Sequence, residues 1–577
     1  MAGFLLWYDS ISVDSTIFDR FKSLDYREPS IFKFDDLNIW LYPKNNIEVK
    51  NYFENKEDFI FGVGTYIYKG LLYNEALPLI LFDFLKGKLD YSEILGEYII
   101  FVKTKKFIGF IRDASCLKHM YTIENCPIFS TSFDALLSIG GLKNINLMSV
   151  VELLTTGVIS SNDTILQEIK RVAFCAECNS IKIIEISDKQ EHFHFNYRET
   201  ITFHKNKLLN YFKKIKLAVD SYKYDFVPDI GLTAGLDSRL LVALINNVFD
   251  KNFIVHTHWR KAGNKDIDFN CAHLLAETMG VKINVSSPKD LNFTNIQEIY
   301  EKSYIACDGV IRPGCYWDEI YSTHLYRNSI CDKNYFRFLG FGGENYRNSD
   351  HILLSKEKSL RTWIEWDLVY MFNSGNVIDK SFRKNFFAHI ENNLYSFLND
   401  KKINLKNYKK YVKFIQSPSY RSIQSNIENR LSFSLNPFMD INLVNQVIED
   451  YYYLGDSLGF QLDILNGVSK KIASVDNDYG FNFVNGEPLR NRIFVKIWKY
   501  VPSKIKYPIY FYIKNLSKRQ KTDVFEKNSF IIDLFNEVKS LNLPMDLDKY
   551  IRINSRYKML FNLGYFLKRN KRWINKN

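Results

Sequence analysis

The sequence predicts an α/β protein with two folded regions and a basic extension, and three observations carry that expectation. Residues 1 to about 200 are strand-rich, residues 205–487 alternate short apolar strands with longer helices, and residues 488–577 hold the whole positive excess. Alternation of strands and helices is the pattern of a parallel sheet covered on both faces. A chain of 577 residues is long enough for each region to bury its own core.

The elements follow in order. Tyr98-Ile99-Ile100-Phe101-Val102 and Lys106-Phe107-Ile108-Gly109-Phe110-Ile111 read as strands, with helical stretches over 74–86 and 148–156. In the second region Asp229-Ile230-Gly231-Leu232 reads as a buried strand end, and Leu240, Leu241, Ala243, Leu244 and Ile245 follow at helical density. Phe253 to His258 forms the next strand, and Ala272 to Gly280 the helix after it.

Composition excludes several classes. Hydrophobic residues make up 46% and charged ones 25%, as in a soluble globular protein. No apolar run reaches the length of a membrane span, and the start has neither a basic n-region nor a long apolar core, so a cytoplasmic location is expected. Eight scattered cysteines make no disulfide framework. Cys175 and Cys178 lie upstream of His192 and His194, but H-x-H spacing is wrong for the second half of a zinc site, so reduced, structural cysteines are expected.

Residues 488–577 contain 21 Lys+Arg against 6 Asp+Glu, whereas the rest of the chain is slightly acidic. Aromatics are interleaved with these bases, as in Phe494-Val495-Lys496-Ile497-Trp498-Lys499-Tyr500. The expectation is a helical extension whose aromatics pack on the body and whose bases face solvent. Peripheral membrane contact comes next, and nucleic acid last, because no reader motif accompanies the charge.

Chemistry concentrates in Gly231-Leu232-Thr233-Ala234-Gly235-Leu236-Asp237-Ser238-Arg239. A small-residue turn between strand and helix aims backbone N–H groups at an anion, usually phosphate. No Lys follows it, so it is not the loop that holds a transferable γ-phosphate. Asp237 stands there instead, and would repel phosphate unless Mg²⁺ lay between them. Turn, hydroxyls and cation suit pyrophosphate as a leaving group.

Thr233 to Ser238 resembles the S-G-G-x-D-S pyrophosphate loop of the asparagine synthetase-like ATP pyrophosphatases. Gly340-Phe341-Gly342-Gly343-Glu344 is similar to that family's second glycine motif, and Leu435-Asn436-Pro437-Phe438-Met439-Asp440 to its Arg-x-Pro-Phe-Leu-Asp segment. Asp266 and Asp268 resemble the acidic residues before the family's next helix. Gly96-Glu97-Tyr98, Ile111-Arg112-Asp113 and Phe129-Ser130-Thr131-Ser132-Phe133 look like the family's glutamine-hydrolysing half. The resemblance implies an N-terminal-nucleophile (Ntn-type) αββα sandwich over 1–200. It implies a doubly wound, adenine nucleotide α-hydrolase-like synthetase domain over 205–487, and leaves the basic extension over 488–577.

It further implies ATP and Mg²⁺ as cofactors, and an acyl-adenylate formed from a small carboxylate and then taken by an amine or ammonia. Leu232, Thr233, Gly235, Ser238, Thr257 and Gly340 would bind the nucleotide, and Asp237 and Glu344 would be catalytic and share the metal. Departures qualify this. Ala2 stands where the family has its nucleophilic Cys, so glutamine hydrolysis is not expected. Phe341 replaces a polar residue and cannot take a proton from an amine. The family's downstream Lys has no clear match, Lys470 and Lys471 being the nearest. Ala234 in place of Gly limits positive φ, predicting a less open turn. Arg239 and the Gly-Gly-Glu form incline the resemblance towards surface-polysaccharide ligases, with secondary-metabolite ligases, whose members also lack the glutaminase Cys, as the other setting. The other reading is a catalytically silent nucleotide- or partner-binding relative.

Overall fold

The computed structural model describes residues 2–172, 177–178, 181–185, 196–258, 267–286, 296–311, 334–348, 358–370, 374–455, 457–477, 479–502, 505–506, 528–553 and 556–576. The first region folds into two sheets packed face to face. One is antiparallel, with spatial order Ile169–Arg171, Tyr121–Ile123, Cys126–Ser130, Gly3–Tyr8, Leu37–Tyr42 and Ser30–Phe34. The other runs Glu177–Cys178, Ile181–Glu185, Ile108–Arg112, Leu95–Lys103, Asp58–Tyr68 and Tyr52–Asn55. Alternate residues of facing strands (Phe4, Leu6 and Ile39 against Phe59, Phe61, Phe101 and Phe110) form the dry layer between them.

Helices cover the two outer faces. Ile17 and Phe21 of helix Ser15–Ser23 pack with Leu5 and Tyr42 behind the first sheet. Leu77, Ile80 and Leu81 of helix Leu77–Leu85 pack with Ile60, Tyr66 and Ile100 behind the second. Strand content thus follows the sequence, and the layering is helix, sheet, sheet, helix. Ala2 is buried, and its N–H donates to the Tyr42 carbonyl (2.8 Å).

The second region is built on a five-stranded, wholly parallel sheet. Its spatial order is Lys282–Ser286, Ile254–His258, Val227–Gly231, Tyr335–Phe338 and Phe433–Leu435. The chain starts at the middle strand, steps outward one way, and returns to complete the other side. One face is apolar (Ile230, Val255, Phe336, Phe338) and lies in one core with helices Tyr197–Ser221 and Leu236–Phe249. The alternate residues Asp229, His256 and Arg337 occupy the opposite face. There Arg337 approaches Glu428 of helix Ser422–Leu431 at 3.9 Å.

The last segment has two parts rather than one. Helices Ser529–Lys539 and Lys558–Arg569 bury Leu534, Val538, Leu563 and Phe566 in the core behind the first sheet, and Ile574–Asn575 pairs in parallel with Lys143–Asn144. Helix Leu489–Tyr500 instead lies at the surface. No helix among the described residues is long and apolar enough to cross a membrane.

Candidate functional site

Val227–Gly231 is the strand at which the order reverses, and the carboxyl ends of this strand and its neighbour Tyr335–Phe338 mark the place where open parallel sheets form their ligand crevice. The two glycine segments meet there. A Cβ on Gly340 would lie 3.5 Å from the Ser238 Cα, and one on Gly343 only 2.6 Å from the Asp237 carboxylate. Gly343 therefore permits a contact that any other residue would block. Beneath the loop, His256 Nδ1 lies 2.8 Å from Asp229 and Arg337 donates to Asp229 at 3.1 Å, so these buried charges are consumed by one another.

The loop is tied down from both ends. Leu232 N–H donates to the His256 carbonyl (2.8 Å), and Ala234 N–H donates to the Asp268 carboxylate (2.9 Å). Between them the hydroxyls close the turn on itself. Thr233 Oγ1 lies 2.9 Å from Ser238 Oγ, which accepts from Thr233 N–H at 3.2 Å, while Gly235 N–H donates to Thr233 Oγ1 at 3.2 Å. The two N–H bonds sit at the upper end of the ordinary range, and Thr233 is exposed. Gly235 caps helix Leu236–Phe249 at φ −68°, and Ala234 is not among the positive-φ residues, so the backbone here does not use the conformation that Ala would resist. The expected narrowing of the turn has no basis in its dihedrals.

The two carboxylates are held differently from the expectation of a shared Mg²⁺. Asp237 forms a bidentate ion pair with Arg347 and accepts from Gln461 Nε2 (2.9 Å), while Arg347 also donates to Gln461 Oε1 (2.7 Å). Glu344 is ion-paired with Arg421. Burial pulls the Arg421 guanidinium down to about 10, and the nearby Asp237 carboxylate acts the other way. Among the described residues no three His, Cys, Asp or Glu side chains gather as for a cation. Two carboxylates already neutralised by two arginines do not fit a resident divalent ion.

Arg347, Arg421 and Gln461 are absent from the site that the sequence predicts, and their spacing in the sequence offers no signal for the pairing. Lys409 is a further buried base beside the second glycine segment, donating to the carbonyls of Asn345 (2.9 Å) and Arg347 (3.0 Å). Lys470 and Lys471 are exposed on the short helix Lys470–Ala473. Thr257 is buried near the end of the strand beside the loop, and Phe341 is half-buried. Arg239 is wholly buried and donates to the carbonyls of Val475 (2.5 Å) and Asp476 (2.8 Å), so it is structural and says nothing of substrate. Asp266, Cys175, His192 and His194 lie outside the described residues.

No family model matches the chain, and no curated protein matches it by sequence. Among solved structures, the U34-tRNA thiolase NcsA from Methanococcus maripaludis with its [4Fe-4S] cluster is similar over 53% of this chain and 82% of its own. The identity is 14% and the TM-score 0.21, a likeness too slight to carry fold or function to this chain.

Proposed function

We propose that the chain is an ATP-dependent carbon–nitrogen ligase of asparagine synthetase-like type, acting without glutamine hydrolysis. The observation that carries this reading is the Thr233–Ser238 hydroxyl turn. It sits at the carboxyl end of the central parallel strand, at the order reversal, and faces a second glycine segment. ATP lies in the crevice with Leu232, Thr257 and Gly340 on the nucleoside side. Thr233, Gly235 and Ser238 donate to the β- and γ-phosphates, exchanging their mutual bonds for bonds to the anion. Magnesium arrives bound to the nucleotide as part of the substrate.

A carboxylate oxygen attacks the α-phosphorus, the α–β bridge breaks, and pyrophosphate leaves with the electron pair. An amine or ammonia then attacks the acyl carbon, AMP leaves, and the amine proton passes to solvent or to AMP. Arg347 and Arg421 stabilise the charge that builds on the phosphates. Asp237 and Glu344 position those two guanidinium groups. The Ala2 side chain is a methyl group and offers no nucleophile for glutamine.

Pyrophosphate exchange into ATP with a panel of carboxylates tests this. Exchange that depends on one acid and is lost in Asp237→Ala supports it, and absence of exchange with every acid sinks it. The closed hydroxyl turn and the fully paired carboxylates favour a second reading, a silent nucleotide-binding relative. That reading expects no exchange while ATP still raises the melting temperature.

A further inference from the structure

We infer that helix Leu489–Tyr500 docks the protein on an anionic lipid surface. At about 100° per residue, Leu489, Ile493 and Ile497 share one stripe within an arc of about 80°. That stripe faces away from the body: the three side chains are 64%, 47% and 63% exposed, while Asn491, Val495 and Trp498, on the opposite side of the helix, are half-buried. Phe494, 57% exposed, lies beyond Arg490 from the stripe and stacks on Trp498 with ring centroids 5.6 Å apart. A surface helix of a globular protein normally turns its apolar stripe inward. This one turns it outward.

The charge around the stripe selects the occupant. Arg490, Arg492 and Lys496 are exposed and flank it on both sides. From 488 to 522 the sequence has ten Lys+Arg and no Asp or Glu. An apolar stripe edged by bases, with aromatic rings beside it, suits the boundary between acyl chains and anionic headgroups, where bases reach phosphate while their stems stay apolar. Single-stranded nucleic acid would use the bases and stack on rings, but has no need of Leu489, Ile493 and Ile497. Helices Ser529–Lys539 and Lys558–Arg569 are committed to the core, so docking falls to the surface helix.

The full chain should sediment with vesicles of phosphatidylcholine and phosphatidylserine at least about tenfold more tightly than with phosphatidylcholine alone. Ile493→Asp with Ile497→Asp should weaken that binding by more than about tenfold, with the melting temperature and far-UV spectrum unchanged. Were that pair to melt early, Ile493→Ser with Ile497→Ser takes its place. Three outcomes would overturn the inference: no sedimentation with anionic vesicles, binding by the double variant equal to the parent, or binding to poly(U) as tight as to vesicles and unaffected by the isoleucine changes. None depends on pyrophosphate exchange, so this inference and the ligase reading fail separately.

Discussion

The seam between the two regions and the crevice above the parallel sheet are both rich in polar groups, yet they treat those groups in opposite ways. At the seam, Glu97 and Lys118 pair at 3.2 Å with both side chains buried. Glu97 also accepts from Asn436 N–H (2.6 Å) and Nδ2 (2.8 Å), and Lys118 donates to Ser425. Asp440 accepts from Gly96 N–H (2.7 Å) and the Tyr211 hydroxyl (2.8 Å) while capping helix Ile441–Glu449. Burial pulls the Lys118 ammonium down and Glu97 offsets part of that. In the crevice Thr233 is exposed, Asp237 and Arg347 are partly solvated, and the N–H bonds to the hydroxyls sit at the upper end of the ordinary range. The seam spends its polar groups on assembly, and the crevice keeps its own exchangeable.

Removing one partner from the seam should therefore have the largest effect on stability. Glu97→Ala leaves Lys118 buried and unpaired, and should cost about 3–5 kcal/mol in chemical denaturation. Glu97→Met with Lys118→Met should recover only part of that loss, because Asn436 N–H and Nδ2 lose their buried acceptor. A loss below about 1 kcal/mol for Glu97→Ala would erase the distinction between the two regions.

Much of this contrast was legible in the sequence, and the rest was hidden for physical reasons. Gly96-Glu97-Tyr98 and Leu435 to Asp440 stood out as separate motifs 340 residues apart, but no local pattern says that one clasps the other. The strand–turn–helix at 227–249 was legible because an apolar strand, a small-residue turn and a helical apolar rhythm are all local signals. Arg421 and Gln461 were not, since a carboxylate's partner is chosen by tertiary proximity. Helix Tyr197–Ser221 has a readable start in the Asn196–Glu199 capping box, so the expected boundary near 200–205 falls inside a helix. The basic extension was read by its summed charge, and that average concealed a core-forming part and a surface part.

A second seam contact gives a pH signature. Asp308 accepts from Ser132 Oγ and Phe133 N–H, both at 2.6 Å, and burial, aided by Asp134, pushes its carboxyl up to about 8. The folded state thus holds a proton that the unfolded chain releases near 3.8. Between those values the folded state binds more protons, so its contribution favours folding at low pH and is lost as pH rises towards 8. Melting temperatures across that window should fall less steeply for Asp308→Asn than for the parent. Identical slopes would mean that the seam does not hold this proton.

Arg239 sharpens the border, because it follows Ser238 directly yet belongs with the buried framework. Arg239→Met strands carbonyls that the guanidinium satisfies, and should cost about 1–3 kcal/mol without altering nucleotide affinity per folded molecule. Reduced affinity at full stability would move Arg239 into the site.

The smallest stability effect should come from the loop itself. Ser238→Ala removes a hydroxyl that joins Thr233 to the helix through bonds of 2.9 and 3.2 Å, and should cost about 1 kcal/mol or less. Asp237→Ala, which leaves Arg347 with Gln461 and a partial opening to solvent, should cost more than Ser238→Ala and less than Glu97→Ala. The functional effects should run the other way. Losing one charge-assisted donor to phosphate weakens ATP binding about tenfold on the scale of 1.4 kcal/mol per decade, measured by the ATP-induced shift in melting temperature. A variant that barely changes the melting temperature of the ligand-free protein should lower the ATP-induced shift by the equivalent of about 1.4 kcal/mol at saturating ATP. If Ser238→Ala destabilises the protein as much as Glu97→Ala does and leaves the ATP shift intact, the turn is framework, and the crevice loses its claim to the nucleotide.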